Sequence, residues 1–347
     1  MELRPIKVRG KRRTRDQLLV APPPKRLHKN LSQKKQAKVR RPKASNIERS
    51  MPLEVLEHVF WLSENVNFPR ASPRLGRLLS GPSTLRETFV MAFGPTWEVW
   101  FGCIHGPGTV FPTVHSYAGW EEDADRFGGN PSFQTDLLAC SWTTIDMILD
   151  CRDIWVRRHA RNLPFKYFPI WGNPINPISY TGSGITTGLS DIKEARCYFY
   201  HDYHAFRNVE QQSFYGKISR PERSRRLWST RIEVHRSTEI PDDIITGPWD
   251  ESSFQKLFWL VQAGARLSSA QTWEITHEGF RNAISDQYAP NLTAIRLLHI
   301  LGAFQNWPDY IKANEIDKIS TSVRTSKGDR GRALLMKYTY ITSLLLS

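Results

Sequence analysis

Two short amphipathic segments, between residues 51 and 80, constrain the fold of this 347-residue chain more than any other stretch. The apolar residues of the first recur at the spacing of one helix face: Leu53, Leu56, Val59 and Phe60. Ser50 is the predicted N-cap, because Pro52 then falls in the first turn, where a missing N–H is tolerated. Residues 65–69 interrupt the pattern, and residues 70–79 resume it with a second apolar stripe of Ala71, Leu75, Leu78 and Leu79.

These two helices cannot bury both stripes against each other alone. A unit of about 30 residues lies below the size at which one hydrophobic core is self-sufficient. We therefore expect a third helix, a domain or a partner protein to cover the remaining apolar surface. Residues 84–93 are the predicted third helix, which Gly94 and Pro95 should end.

The motif Pro52-Leu-Glu-x-Leu-x-x-Val-Phe60, followed by Phe68 and a second helix with Leu75, resembles the F-box. In detail it is similar to the F-box of a large group of filamentous-fungal proteins. This likeness extends through residues 65–76 to residues 92–97, so it covers about 45 of the 347 residues. Met51 stands where Leu or Ile is usual and Phe68 where Leu is usual, and both keep apolar bulk. The alternative is an ordinary helical hairpin at the start of a domain.

The resemblance implies a binding protein that performs no chemistry. F-box proteins dock on the adaptor of an SCF-type cullin ubiquitin ligase and present a protein substrate with the rest of the chain. By the same resemblance, the adaptor-binding residues are Pro52, Leu53, Leu56, Val59, Phe60, Phe68 and Leu75. The sequence shows no nucleophile, base and orienting group at a recognisable spacing, so we expect no enzymatic activity, no cofactor and no metal.

The positive charge of the chain is concentrated before this segment. Residues 1–49 contain 17 Lys and Arg against 3 acidic residues, a difference equal to the whole net charge of +14. The remaining residues carry 31 basic side chains (48 less 17) and 31 acidic ones (34 less 3), so they are neutral as a whole. Because residues 1–49 also combine consecutive prolines with few aromatic residues, they are predicted to be a disordered tail.

Basic clusters in this tail suit the acidic grooves of a nuclear-import receptor or a phosphate backbone. The residues are Lys11, Arg12, Arg13, Lys25, Arg26, Lys34, Lys35, Lys38, Arg40 and Arg41. We expect import rather than nucleic acid as the role of these clusters, and hence a protein of the nucleus, the cytoplasm or both. A nuclear nucleic-acid-associated or scaffold protein is the second hypothesis. Salt separates the two, because phosphate contacts weaken steeply with ionic strength and an apolar interface does not.

The cysteines and the hydropathy pattern exclude other classes of protein. The sequence has four cysteines, Cys103, Cys140, Cys151 and Cys197. They do not have the spacing of zinc ligands, and four in a chain of this length do not indicate a disulfide scaffold. No run approaches the roughly 18 apolar residues of a membrane span, and no signal-peptide core follows the N-terminal charges. The sequence predicts a protein of a reducing compartment that is neither secreted nor embedded in a membrane.

Residues 98–249 are predicted to be a mixed helical and irregular region. The strongest helix runs from Thr135 to about Arg161 with a break near Cys151. Residues 102–132 and 164–190 are rich in Pro and Gly, which favours irregular insertions. A second helix is expected over residues 191–211, a strand over residues 231–236 and a linker over residues 241–248.

Three motifs of this region invite a chemical interpretation. Residues 181–184 lack the Gly-Lys-Ser/Thr that completes a phosphate loop. His201 and His204 are three residues apart, but no Glu is placed as the base of a zinc protease, so we read them as ordinary histidines. Ser224 lies among arginines that would bind a phosphate, although the same residues also fit a solvated connector.

The C-terminal region, residues 250–347, is predicted to be helical and weakly repetitive. Residues 257–265 and 295–303 align without a gap, with Gly264 and Gly302 at the left-handed position after a helix. The pattern resembles the second helix and Gly-Ala turn of ankyrin repeats. The helix between them is marked by Phe280, Ala283 and Ile284, and a helix over residues 330–346 would close the stack by burying Leu334, Leu335, Tyr338, Ile341 and Leu345. A plain helical bundle is the alternative.

The predicted fold class is therefore mainly α. An F-box three-helix unit over residues 50–97 is followed by a mostly helical body with irregular Pro- and Gly-rich insertions and a degenerate ankyrin-like stack. The expected partners are the ligase adaptor with its cullin and an unidentified protein substrate.

Overall fold

The structure, a computed structural model, describes residues 50–104, 128–159, 233–285, 290–325 and 329–346, together with eight residues between 196 and 207. Within these residues the chain is helical and contains no β-strand, which confirms the prediction of a mainly α fold. The chain divides into two units, residues 1–43 and 44–347, and everything described belongs to the second.

The N-terminal hairpin consists of α1 (Leu53–Ser63), a 3-10 turn (Phe68–Ala71) and α2 (Pro73–Leu79). Helix α1 lies where the apolar period predicts it. The second helix, predicted over residues 70–79, begins only at Pro73, and Ala71 of its predicted stripe lies exposed in the 3-10 turn. The N-cap of α1 is Pro52 rather than the predicted Ser50, because the extended ψ of Pro52, 156°, leaves its carbonyl as the first acceptor of the helix. Ser72 caps α2 by accepting a hydrogen bond of 3.1 Å from the Leu75 N–H.

Helix α3 (Pro82–Ile104) continues through Gly94 and Pro95, where the sequence predicts its end. Gly94 has no Cβ, so the clash that Pro usually imposes on the preceding residue is reduced. Packing contacts also stabilise the helix around Pro95. Trp97, one turn beyond, is buried and donates a hydrogen bond of 3.0 Å to the Glu233 carbonyl, while the Trp155 indole lies against Gly94.

The helix predicted from Thr135 to about Arg161 is two helices, α4 (Pro131–Leu138) and α5 (Ile145–His159). The break lies at residues 139–144 and not near Cys151, which is buried inside α5. Two threonines cause it, because their side chains bind backbone groups that a continuous helix would use. The Thr143 hydroxyl donates a hydrogen bond of 2.6 Å to the Leu137 carbonyl. The Thr144 hydroxyl accepts one from the N–H of Met147, in the first turn of α5.

Two further expectations for the middle region are wrong. Within the described part of residues 231–236 there is no strand, since the N–H of His235 binds the Gln134 side chain at 2.8 Å. The facing segment is the end of a helix and the loop after it, residues 264–266, which forms only an isolated bridge from Glu239 to Arg266. Residues 241–248, predicted as a linker, contain α6 (Asp242–Thr246), whose two isoleucines are buried.

The C-terminal region is helical, as predicted. It contains α7 (Glu251–Ala263), α8 (Trp273–Ile284), α9 (Leu292–Ile300), a 3-10 turn (Ala303–Asn306), α10 (Asp309–Thr325) and α11 (Asp329–Leu346). Gly264 and Gly302 follow helices with φ of 94° and 78°, the left-handed conformation expected there. Helix α11 buries Tyr338, Ile341 and Leu345 as expected, whereas Leu335 is exposed. The ankyrin-like assignment itself stays a prediction.

Several interpretations of the sequence lie wholly or largely outside the described residues. These are the basic tail, residues 105–127 and 164–190, Ser224 with its arginines, His201, and the side chain of Leu334. Residues 102–104 and 131–132, expected to be irregular, are helical. Every described residue between 196 and 207 is helical, in agreement with the helix expected there.

Two separate hydrophobic cores hold these helices. The larger one joins α3 to α11 and the helical residues between 196 and 207. The smaller one belongs to the hairpin and is formed by Leu56, Phe60, Leu75 and Leu79, with Met51, Trp61, Phe68 and Leu78 at its edge. The hairpin therefore has a core of its own and is not an extension of the body.

Candidate docking surface

The hairpin core uses three of the predicted adaptor-binding residues. Leu56, Phe60 and Leu75 are each at most 4% exposed, and Phe68 stacks on Phe60 at a ring separation of 6.2 Å. Leu56, Phe60 and Leu75 therefore set the shape of the hairpin and offer almost no area to a partner, whereas Phe68 is half-buried. Pro52, Leu53 and Val59, the other three predicted contacts besides Phe68, are exposed.

An apolar stripe remains uncovered on the outer side of α1. Val55, Val59 and Leu62 are 42, 38 and 82% exposed, and we call these three residues the docking stripe. Leu53, which is 39% exposed, lies in the first turn of α1 on the side of Leu56 and Phe60 and is not part of the stripe. Single exposed apolar residues are normal on a protein surface, but a contiguous set marks an interaction site. Val55, Val59 and Leu62 are spaced by four and three residues, so they form one continuous line along α1.

Polar contacts between α1 and α3 fix the orientation of the stripe. Thr84 donates a hydrogen bond of 2.6 Å to the Glu57 carboxylate, and the Trp61 indole donates one of 3.1 Å to the Thr88 hydroxyl. Both hydrogen-bond partners on α3 are buried threonines. Since Glu57 and Trp61 are four residues apart, they lie one turn apart on the same side of α1. That side is therefore hydrogen-bonded to α3 at two successive turns.

The order of the faces around α1 follows from helix geometry. Each residue turns the helix by about 100°, so Leu56 and Phe60 lie one step beyond Val55 and Val59. Glu57 and Trp61 lie one step further. Around the helix, the docking stripe is thus followed first by the side that packs on α2 and then by the side that binds α3. The stripe is therefore next to the α2 side and points away from α3.

Sequence reasoning missed two members of the stripe, Val55 and Leu62. The period predicted one apolar face, whereas α1 carries apolar residues on two. A helix with apolar residues around more than half of its circumference needs a second covering surface, and this excess was the signal that could have found them.

The 3-10 turn and α2 carry three arginines and no acidic residue. Arg70, Arg74 and Arg77 lie on the 3-10 turn and on α2. The Arg70 guanidinium donates to the Asn67 side chain and the Arg77 guanidinium to the Pro73 carbonyl, each at 3.3 Å. The Nε atom of Arg74 is buried and has no hydrogen-bond acceptor.

Buried polar groups of the body join its helices. Arg152 pairs with Glu233 at 2.8 Å, and the second carboxylate oxygen of Glu233 accepts from the Trp259 indole at 3.0 Å. Burial raises the pKa of the Cys151 thiol to about 12, so the reactive thiolate does not form near neutral pH. In the described residues no three His, Cys, Asp or Glu side chains are placed to hold a metal ion.

None of the described helices combines the length and the apolar character that crossing a bilayer requires. No protein-family model, curated protein or solved structure matches this chain.

Proposed function

We propose that this chain is an F-box subunit of an SCF-type cullin ubiquitin ligase, which docks on the ligase adaptor through the hairpin and recruits a protein substrate through its body. The observation that carries the proposal is the docking stripe. It stands on a hairpin with its own core, it is apolar, and polar contacts with α3 hold it outward.

The energetics favour a binding role for this stripe. Fully burying one such side chain contributes ~1.5–3 kcal/mol. The three partly exposed side chains of the stripe and Leu53 would therefore contribute several kcal/mol before the costs of association. In this proposal Leu53 and Val59 contact the adaptor directly with Val55 and Leu62, whereas Leu56, Phe60 and Leu75 act by keeping the hairpin folded.

Affinity purification followed by mass spectrometry tests the proposal. The full chain should bring down the ligase adaptor and its cullin. The double variant Val55→Asp with Val59→Asp should lose both proteins, because it places two charges in an apolar interface. Tyr310→Asp is the matched control, since Tyr310 is exposed on α10 outside the hairpin and should leave copurification unchanged. Absence of adaptor and cullin from the wild-type sample would contradict the proposal.

The second candidate is a nuclear protein that binds nucleic acid through its basic arm. The charge distribution favours it, because residues 1–49 hold the entire excess of positive charge. Deleting residues 1–49 discriminates between the roles. Under the ligase proposal with tail-directed import, the deletion moves the protein to the cytoplasm and leaves adaptor binding intact.

Salt provides the second discriminating measurement. If the arm binds nucleic acid as the main function, the deletion abolishes binding to a duplex oligonucleotide, and wild-type affinity falls steeply as salt is raised. Unchanged nuclear accumulation after the deletion would contradict the import role of the tail.

A further inference from the structure

His58 lies on α1 beside the docking stripe. It is three residues after Val55 and four before Leu62, and residues at these spacings are neighbours on the surface of a helix. Its side chain is exposed. A partner that covers the stripe therefore also covers the imidazole ring, so a titratable polar group borders the apolar contacts.

Two contacts hold this ring in a defined position. The Nδ1 atom of His58 is 2.8 Å from the Glu54 carbonyl oxygen, and the ring packs on the Trp61 indole at a centroid separation of 5.1 Å. Trp61 is itself fixed to α3 by its hydrogen bond to Thr88. A side chain that is ordered before association loses less conformational entropy when a partner binds, so the ring is prepared for a specific contact.

The contact with Glu54 also determines which ring nitrogen carries hydrogen. A carbonyl oxygen only accepts hydrogen bonds, so the Nδ1 atom of His58 donates. In the neutral imidazole the Nε2 atom then has a lone pair and acts as an acceptor, whereas protonation converts it into a donor. Nε2 is therefore the atom that His58 can offer to a partner, and protonation reverses its hydrogen-bonding role.

The acidic residues of α1 near His58 face water or α3. Glu54 lies one turn before His58 and is exposed, and ion pairs between exposed side chains contribute little. The Glu57 carboxylate accepts the hydrogen bond from Thr84 of α3. An imidazolium at position 58 would therefore gain little from its own helix.

The neighbouring helices direct their contacts elsewhere. On α3, Glu87 pairs with Arg158 of α5 at 2.6 Å, and the Arg86 carbonyl accepts a hydrogen bond from the Cys151 thiol, so this part of α3 faces α5. Helix α2 packs on the other flank of the stripe, away from His58. An adaptor that closes over the stripe removes the ring from water, and burial disfavours a charged side chain.

We propose that His58 contacts the ligase adaptor as a neutral imidazole, with its Nε2 atom accepting a hydrogen bond from an uncharged donor of the adaptor, a hydroxyl or an amide N–H. Protonation removes this acceptor and places a charge beside the apolar stripe, so docking weakens as the pH falls. This inference rests on the proposed function and specifies its partner and its regulation: the adaptor has an apolar groove with a neutral donor at its edge, and binding it depends on pH.

Binding titrations with the purified adaptor at pH 8 and pH 5.5 test the inference. Histidine changes its charge between about pH 5 and 8, so the wild-type affinity should fall about tenfold between the two conditions. His58→Gln keeps an acceptor that does not titrate but loses the contacts of the ring. It should bind about threefold more weakly than the wild type at pH 8 and about threefold more tightly at pH 5.5.

The adaptor's own groups titrate in every measurement, so each variant is compared with the wild type at the same pH. His58→Lys carries a fixed positive charge and should bind about tenfold more weakly than the wild type at pH 8. His204→Gln removes an exposed histidine outside the hairpin and should keep the wild-type affinity at both pH values. Thermal melting at pH 8 and pH 5.5 verifies that each variant is folded.

The outcomes distinguish this inference from the function it rests on. If the wild type binds the adaptor and its affinity relative to His58→Gln is the same at both pH values, the inference is refuted and the ligase proposal stands. If the relative affinity of the wild type rises toward pH 5.5, an imidazolium binds a carboxylate of the adaptor and the inference is overturned. If the wild type binds the adaptor at neither pH, both fail.

Discussion

Thr84 on α3 donates a hydrogen bond of 2.6 Å to Glu57 on α1, and this contact helps to fix which side of the first helix stays exposed. Without it, either apolar face of α1 could turn toward the body. With it, and with the Trp61 to Thr88 bond one turn later, Val55 and Val59 stand outward while Leu56 and Phe60 pack on α2.

The first prediction separates folding of the hairpin from docking. Leu75→Ala removes a side chain from the small core, and such changes cost ~2–5 kcal/mol. We expect the hairpin to open more readily, which hydrogen exchange over residues 53–79 would measure as lost protection. Leu62→Ala is the control, because that side chain is 82% exposed and its removal should change stability by less than about 0.5 kcal/mol. Equal protection in both variants would show that the hairpin does not depend on its own core.

The second prediction concerns the turn after α9. Gly302 has φ of 78°, a conformation in which a β-branched side chain is strained. Gly302→Val should lower the free energy of unfolding by roughly 1 kcal/mol or more, as measured by chemical denaturation. Gly81→Ala is the matched control, since its new Cβ would make only ordinary contacts and its φ is not positive. An unchanged midpoint for Gly302→Val would contradict the conformation assigned to this turn.

The third prediction is a pH dependence centred on Lys256. Its ammonium donates a hydrogen bond of 2.7 Å to the Leu138 carbonyl at the end of α4, and burial lowers its pKa from 10.5 to about 8. Between these values the unfolded chain binds a proton that the folded chain has released. The free energy of unfolding should therefore rise with pH from about 8 to 10.5, by up to about 3 kcal/mol from this residue alone.

Comparing the wild type with Lys256→Met isolates this effect from the tyrosines that titrate at similar pH. The wild-type stability minus that of the variant should increase with pH across the same window. A flat difference would mean that the lysine keeps its ordinary pKa in the folded protein.

Local signals in the sequence determine much of the hairpin and of the C-terminal caps. The helical period over residues 53–63 predicts α1, Ser72 and Pro73 start α2, and Gly264 and Gly302 end helices as their position indicates. Each of these features depends on residues a few positions apart, so a single sequence contains the information.

Features that depend on distant residues could not be predicted. Helix α3 crosses Pro95 because Trp155 and Glu233, some 60 and 140 residues further along, pack against its second half. The composition of the docking stripe likewise depends on Thr84 and Thr88, which select the bound side of α1. The apolar period alone names the apolar residues of α1 and does not tell which of them are buried.

The most direct test of the account is a binding titration of the full chain against the purified ligase adaptor. Truncation of a central apolar contact commonly costs ~2 kcal/mol or more, so Leu53→Ala with Val59→Ala should weaken the affinity at least a hundredfold. The same double variant should melt cooperatively at the wild-type temperature, because both side chains are exposed. Wild-type affinity in this variant, or no measurable affinity in the wild type, would contradict the claim that α1 docks the protein on a ubiquitin ligase.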